Sequence, residues 1–162
     1  MTTTPTTAAA LARLLDEAAV RDTLARFADT ATRGDLEAFP TLWAEDATWV
    51  IGGSEGQPFE RRAEGVQEIT ALFRGLREER EHFVQFIFPG VVTVDGDTAT
   101  ARSLCQEAAS GGGKFYRTHG VWTDTFRRTD AGWVFGSRAY RYLWLDFSPF
   151  SGDVSWARGN AA

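Results

Sequence analysis

Cysteine, histidine and lysine are all scarce in this chain of 162 residues. One cysteine, Cys105, excludes an internal disulfide, and with only His82 and His119 beside it a Cys/His zinc site has too few ligands. Lys114 is the single lysine among 17 basic residues, a bias of composition rather than of function. No Lys/Arg run exceeds two residues and the net charge is −5, so nothing marks a nucleic-acid or anionic-membrane footprint. No stretch approaches the roughly 18 consecutive apolar residues of a membrane-spanning helix. The opening Met1–Thr7 lacks the basic start and apolar run of a secretory signal and reads as a frayed polar leader, so the expected setting is the cytoplasm.

Large rings, by contrast, are plentiful. Twelve Phe, six Trp and three Tyr make 13% of the chain, enough for either a thick core or an apolar cavity. The length suits one domain, with a core that needs neither disulfides nor a structural metal.

From Ala8 to Thr32, Leu11, Leu14, Leu15, Ala18, Leu24, Phe27, Ala28 and Ala31 recur at helical spacing, with Arg13, Asp16, Asp22 and Arg26 on the outer face. Gly34 marks its end, and Asp35 is placed to cap a short second helix through Trp43. A strand at 48–51, a loop at 52–58 and a helix over about 65–79 follow. Residues 82–88, 91–94, 98–109, 114–128 and 133–145 are then rich in β-branched and aromatic types, separated by turn-forming clusters such as Pro89-Gly90 and Asp95-Gly96. Helices first and long antiparallel strands after them predict an α+β domain over residues 8–146, with helices packed on one face of a curved sheet. Residues 1–7 form the leader, and 147–162 form a tail ordered only by packing.

Strand alternation nominates the site. Along 98–109 the odd positions are Ala99, Ala101, Ser103, Cys105, Glu107 and Ala109, a small and mostly non-ionic set that fits the face beneath the helices. Glu107 then points inward, where burial raises a carboxyl toward a working acid or base, unless a bulge returns it to water. His82 opens its strand with Val84, Phe86 and Phe88 on its own parity and Gln85 on the other, so an inward imidazole beside an aromatic wall is the matching expectation. Together they would form a proton-transfer dyad. On 114–128 both faces are mixed, Tyr116 and Trp122 on one and His119 on the other, and parity leaves the inner face open. Gly52-Gly-Ser-Glu-Gly56 fits a nucleophile elbow only literally, because Gln57-Pro58 follows where a helix must start.

The segments Phe27–Asp35, Leu42–Trp49, Glu81–Phe83 and Phe126–Trp133, before Tyr140–Tyr142, resemble the SnoaL-like families of the nuclear-transport-factor-2-like superfamily. These sit beside scytalone dehydratase and bile acid 7α-dehydratase. The resemblance implies a cone-shaped α+β barrel and a homodimer paired sheet to sheet. It also implies a cofactor-independent cyclase, dehydratase or isomerase acting on a hydrophobic, oxygenated polyketide-like or polycyclic molecule. His82 matches the dehydratases' catalytic histidine, and Glu107 falls at a site aspartate of the bile acid enzyme. Thr32 stands where the orienting aspartate would be, Phe27 at a frequent tyrosine and Trp122 at a polar position. The resemblance therefore implies a more apolar pocket, worked by His82 and Glu107 and lined by Trp49, Tyr116, Trp122 and Tyr142, with no metal or organic cofactor. The alternatives are a non-catalytic binding module of the same fold, which Thr32 favours, or the small subunit of a ring-hydroxylating dioxygenase.

Overall fold

The computed structural model describes residues 6–53, 56–57 and 59–150. Its elements are α1 (Thr7–Arg33), β1 (Trp43–Gly52), β2 (Glu60–Glu64), α2 (Gly65–Glu78), β3 (His82–Asp95), β4 (Thr98–Gly111), β5 (Lys114–Thr129) and β6 (Gly132–Asp146). The six strands lie in the order β2-β1-β6-β5-β4-β3. Every neighbouring pair is antiparallel except β1 with β6. The outer strands β2 and β3 do not meet, so the expected barrel is an open, curved sheet with two helices against it.

α1 starts at Thr7, within the expected leader, because Thr6 caps it: its Oγ1 accepts a hydrogen bond from the Ala9 N–H at 3.3 Å. Gly34 ends it in the left-handed region at φ 68°, a conformation that favours glycine. Only the later turns are packed, with Val20, Thr23, Leu24, Phe27, Thr30 and Ala31 buried. Leu11, Leu14 and Leu15, expected on the core stripe, remain 56, 57 and 62% exposed. A helix of 27 residues is about 40 Å long, and the sheet beneath covers only part of it. Asp16 is the exception among its early turns: it holds Arg128 through two hydrogen bonds of 2.6 and 2.8 Å and accepts another from the Trp133 indole at 3.3 Å.

Three expectations about elements change. The second helix is a four-residue 3-10 turn, Phe39–Leu42, although Asp35 caps the segment by accepting the N–H groups of Glu37 and Ala38. β1 therefore begins at Trp43 rather than Thr48. β2 was not expected, since Glu60-Arg-Arg-Ala-Glu64 buries only Ala63 and shows no apolar alternation. Pro89-Gly90 is an irregularity inside one long strand rather than a turn. β3 is an edge strand, where a missing proline N–H is tolerated.

The rings build the core around Phe27, whose centroid lies 5.5 to 6.1 Å from those of Phe39, Trp43, Trp49, Trp122 and Phe135. Phe39 stacks on Phe73 at 3.7 Å, joining α2 to this cluster. Inside it sits a fully buried ion pair, Arg138 Nη1 to Asp124 Oδ2 at 3.3 Å. The guanidinium lies 4.1 Å from the Phe27 and Trp122 ring centroids and 4.6 Å from that of Phe135, so its Nε and Nη2, which have no hydrogen-bond partner among the described residues, meet π faces. No helix among the described residues is long and apolar enough to cross a membrane.

Candidate active site

β4 carries the alternation read from its sequence: Ala99, Ala101, Ser103, Cys105 and Ala109 are buried, and Glu107 shares their face. Register then lays out two inner rows. Gln85, Glu107 and Thr118 stand side by side across β3, β4 and β5; Phe83, Ala109 and Tyr116 form the next row. A cavity of about 500 Å³ opens between this face and the two helices. Phe27, Trp49 and Trp122 close it at the core end, and Tyr116, Tyr140 and Tyr142 line its sides.

Glu107 is the centre of the polar network in this cavity. Gln85 Nε2 donates to its Oε1 at 2.6 Å, Tyr116 Oη donates to its Oε2 at 3.3 Å, and the Cys105 thiol approaches Oε1 at 3.7 Å. Burial pushes the carboxyl above its ordinary range, against the opposing effect of those donors. Burial also raises the Tyr116 phenol, and the neighbouring Glu107 charge adds to the effect. A second phenol is placed by an absence: a Cβ on Gly120 would fall 2.1 Å from Tyr140 Cζ, so only glycine there admits the ring. Tyr140 Oη thereby comes within 3.2 Å of Thr118 Oγ1.

The cavity thus takes in six of the residues expected from the sequence: Glu107, Phe27, Trp49, Tyr116, Trp122 and Tyr142. His82 is not among them. On β3 the inner positions are Phe83 and Gln85, which line the cavity, whereas His82, Val84 and Phe86 occupy the opposite parity. Phe86 is 56% exposed, and the His82 ring has Phe150 as its aromatic neighbour at 6.3 Å. The inward histidine–carboxylate pair is therefore not formed. His82-Phe-Val-Gln-Phe-Ile-Phe88 carries apolar residues on both parities, so alternation leaves its register open, and one residue of slip exchanges the faces. Thr32 also lies off the cavity; its Oγ1 accepts the Gln85 backbone N–H at 3.1 Å, tying the end of α1 to the edge strand while Ala31 faces the cavity.

Gln85 is a site residue that the sequence reading missed, as are two arginines of α2 and the turn after it, Arg77 and Arg80; the Asp124–Arg138 pair, missed as well, lies in the core rather than on the cavity wall. Asp124 shares the parity of Tyr116 and Trp122, a signal that became readable once β5's inner face was fixed. His119 is on the outer face, its ring 4.9 Å from Trp144. The loop Gly52–Gly56 includes residues 54 and 55, which lie outside the described residues. Of the tail, Phe147 and Pro149 border the cavity, and 151–162 lie outside the description.

A carboxyl with a raised pKa, held by an amide and a phenol and bordered by rings, is equipped to exchange a proton with a bound molecule shielded from water. Residues 12–139 match the model of the SnoaL-like domain. No curated protein matches the chain. An NTF2-like protein with a cystatin-like fold from Novosphingobium aromaticivorans is 34% identical, with a TM-score of 0.69 over 84% of this chain and 87% of that one. The type 3 hexachlorocyclohexane dehydrochlorinase LinA of Novosphingobium barchaimii has a TM-score of 0.74 at 18% identity, over 89% and 96% of the two chains. A candidate scytalone dehydratase of Novosphingobium aromaticivorans has a TM-score of 0.71 at 15% identity, over 85% and 91%. The last two likenesses speak for the fold alone.

Proposed function

This chain belongs to the SnoaL-like domain family, and we propose that it is a cofactor-independent acid/base enzyme of the lyase or isomerase kind in which Glu107 carries the proton. The supporting observation is the Glu107 carboxyl facing a ring-lined cavity with Gln85 and Tyr116 as donors. The substrate in this reading is a hydrophobic, oxygenated ring compound, polyketide-like or polycyclic, of a size that fits about 500 Å³. Glu107 as carboxylate removes a proton from carbon beside a carbonyl, and its elevated pKa makes it the stronger base. The carboxylic acid so formed returns that proton in one of two ways. Delivered to a neighbouring hydroxyl, it releases water as the C–O bond breaks and a C=C bond forms. Delivered to another carbon, it shifts the double bond. Gln85 fixes the carboxyl through Oε1, and the Tyr116 phenol supports its charge through Oε2.

Incubation in D2O with a panel of ring ketones and β-hydroxy ketones, read by mass spectrometry, tests this. Protein-dependent deuterium uptake or loss of water is expected, reduced about 10²–10⁴-fold by Glu107→Gln. Uptake undiminished in that variant overturns the assignment. The second reading, a binding module, is favoured by His82 lying off the cavity, which leaves Glu107 without an imidazole partner; binding with no chemistry across the panel would establish it.

We also propose that a second copy covers the outer sheet face, where Phe86, Phe88, Val91, Leu104, Leu143 and Trp144 are between 46 and 71% exposed.

A further inference from the structure

Four cations border the cavity: Arg61, Arg77, Arg80 and Lys114. The chain is acidic overall, and most of its other arginines find carboxylates: Arg26, Arg33, Arg117, Arg127 and Arg128 all sit within 3.0 Å of one, whereas Arg74, Arg102 and Arg141 have no carboxylate within ion-pair distance among the described residues. Among the described residues no carboxylate lies within ion-pair distance of the four at the cavity, even though Glu79 borders it too. Arg77 is the most telling. Its Nε and Nη1 are buried and have no hydrogen-bond partner among the described residues, and its guanidinium lies 5.2 Å from the centroid of Phe83. Arg80 lies 5.0 Å from the centroid of Tyr116. Phe83 and Tyr116 belong to one cross-strand row, so the two guanidinium groups ride on rings two strands apart, over the same end of the cavity. Buried guanidinium N–H donors without an acceptor are costly, and a rotation of the Arg77 side chain away from Gly34, against which it packs, toward the cavity it borders lets an anion supplied by a ligand satisfy them.

We propose that the cavity takes an apolar ring compound bearing an anionic group, seated between Arg77 and Arg80 with its rings directed toward Trp49 and Trp122. This rests on the reading of the cavity as a small-molecule site and adds a substrate class to it. The row holding Phe83 and Tyr116 is two residues along the strands from the row holding Glu107. At the rise of a β-strand that is about 7 Å. The anion and the atom that exchanges its proton with Glu107 thus face successive rows of the cavity wall. A carboxylate suits the site because its two oxygens match the planar donor fork of arginine.

The test uses a reporter and two isosteric competitors on the full chain. 1-Anilinonaphthalene-8-sulfonate reports occupancy by fluorescence, and Leu76→Trp, which narrows the cavity, confirms that the signal comes from it. 2-Naphthoate is expected to displace the reporter at a concentration at least about tenfold below that of 2-naphthamide, which has the same shape without the charge. Arg77→Gln with Arg80→Gln is expected to remove that preference, read there by displacement of N-phenyl-1-naphthylamine, the uncharged analogue of the reporter, which stays bound within about twofold. Equal competition by the amide on the unmodified protein, which needs no variant, overturns the proposal. So does a preference that survives the double substitution. Glu107→Gln separates the two readings: naphthoate preference retained in a protein without turnover leaves the anion site standing and removes the acid/base role. Turnover of neutral ketones without naphthoate preference does the reverse.

Discussion

Glu107→Gln is expected to stabilise the protein while disabling it, with an effect whose size depends on pH. The substitution is isosteric and keeps the network: the new amide oxygen accepts from Gln85 Nε2 as Oε1 does at 2.6 Å, and the new amide nitrogen donates to the Tyr116 oxygen, now 3.3 Å from Oε2. What it removes is the buried charge. The Glu107 carboxyl has a folded-state pKa raised above the ordinary value of a glutamate, chiefly by burial. Below that ordinary value the group is protonated in both folded and unfolded chains, so wild type and variant are expected to melt together. As pH rises through the folded pKa, the folded wild type acquires a charge in a poorly solvated place and loses stability that the variant keeps. The gap costs about 1.4 kcal/mol for each unit of elevation, and for a chain of this size each kcal/mol corresponds to about 2–4 °C in Tm. Thermal melts followed by circular dichroism at pH 4 to 8 measure it. A Tm difference that stays flat over this range, or a wild type that gains on the variant with rising pH, would mean that Glu107 is not held in an unfavourable environment, and the argument for its chemistry would fail with it.

Removing the guanidinium of Arg138 by Arg138→Leu leaves Asp124 buried without its cation, and unfolding in urea should show a loss of about 3–5 kcal/mol. Gly120→Ala drives a methyl group into the Tyr140 ring and is expected to lower stability by about 1–3 kcal/mol and to break the Tyr140–Thr118 contact, visible as a change in near-ultraviolet circular dichroism. His82→Ala is expected to leave turnover within about twofold, because His82 lies on the opposite face of β3 from the cavity; a loss of the 10²–10⁴-fold size that marks a general acid or base would return it to the site. Light scattering after gel filtration is expected to give the mass of a dimer for the wild type and of a monomer for Leu104→Glu with Trp144→Glu, both on the exposed sheet face.

The α+β architecture was legible in the sequence because its signals are local. Helical spacing around Leu24 and Phe27, turn chemistry at Asp95-Gly96 and β-rich segments beyond residue 82 each depend on a few neighbouring residues. β4 was legible for the same reason: one parity is small and apolar, so its inner face, and Glu107 with it, follows from alternation alone. Three matters were settled only by the tertiary structure. β3 is apolar on both parities, so its facing was decided by pairing with β4 and by the Gln85–Glu107 bond, which turned His82 outward. How far the sheet reaches under α1 left Leu11, Leu14 and Leu15 in water despite their helical spacing. The encounter of Arg77 and Arg80 with Phe83 and Tyr116 joins the α2 region to two strands that are distant along the chain. Periodicity reports which side of an element is apolar. Which apolar side is buried, and which charges meet there, depends on partners that folding brings from elsewhere.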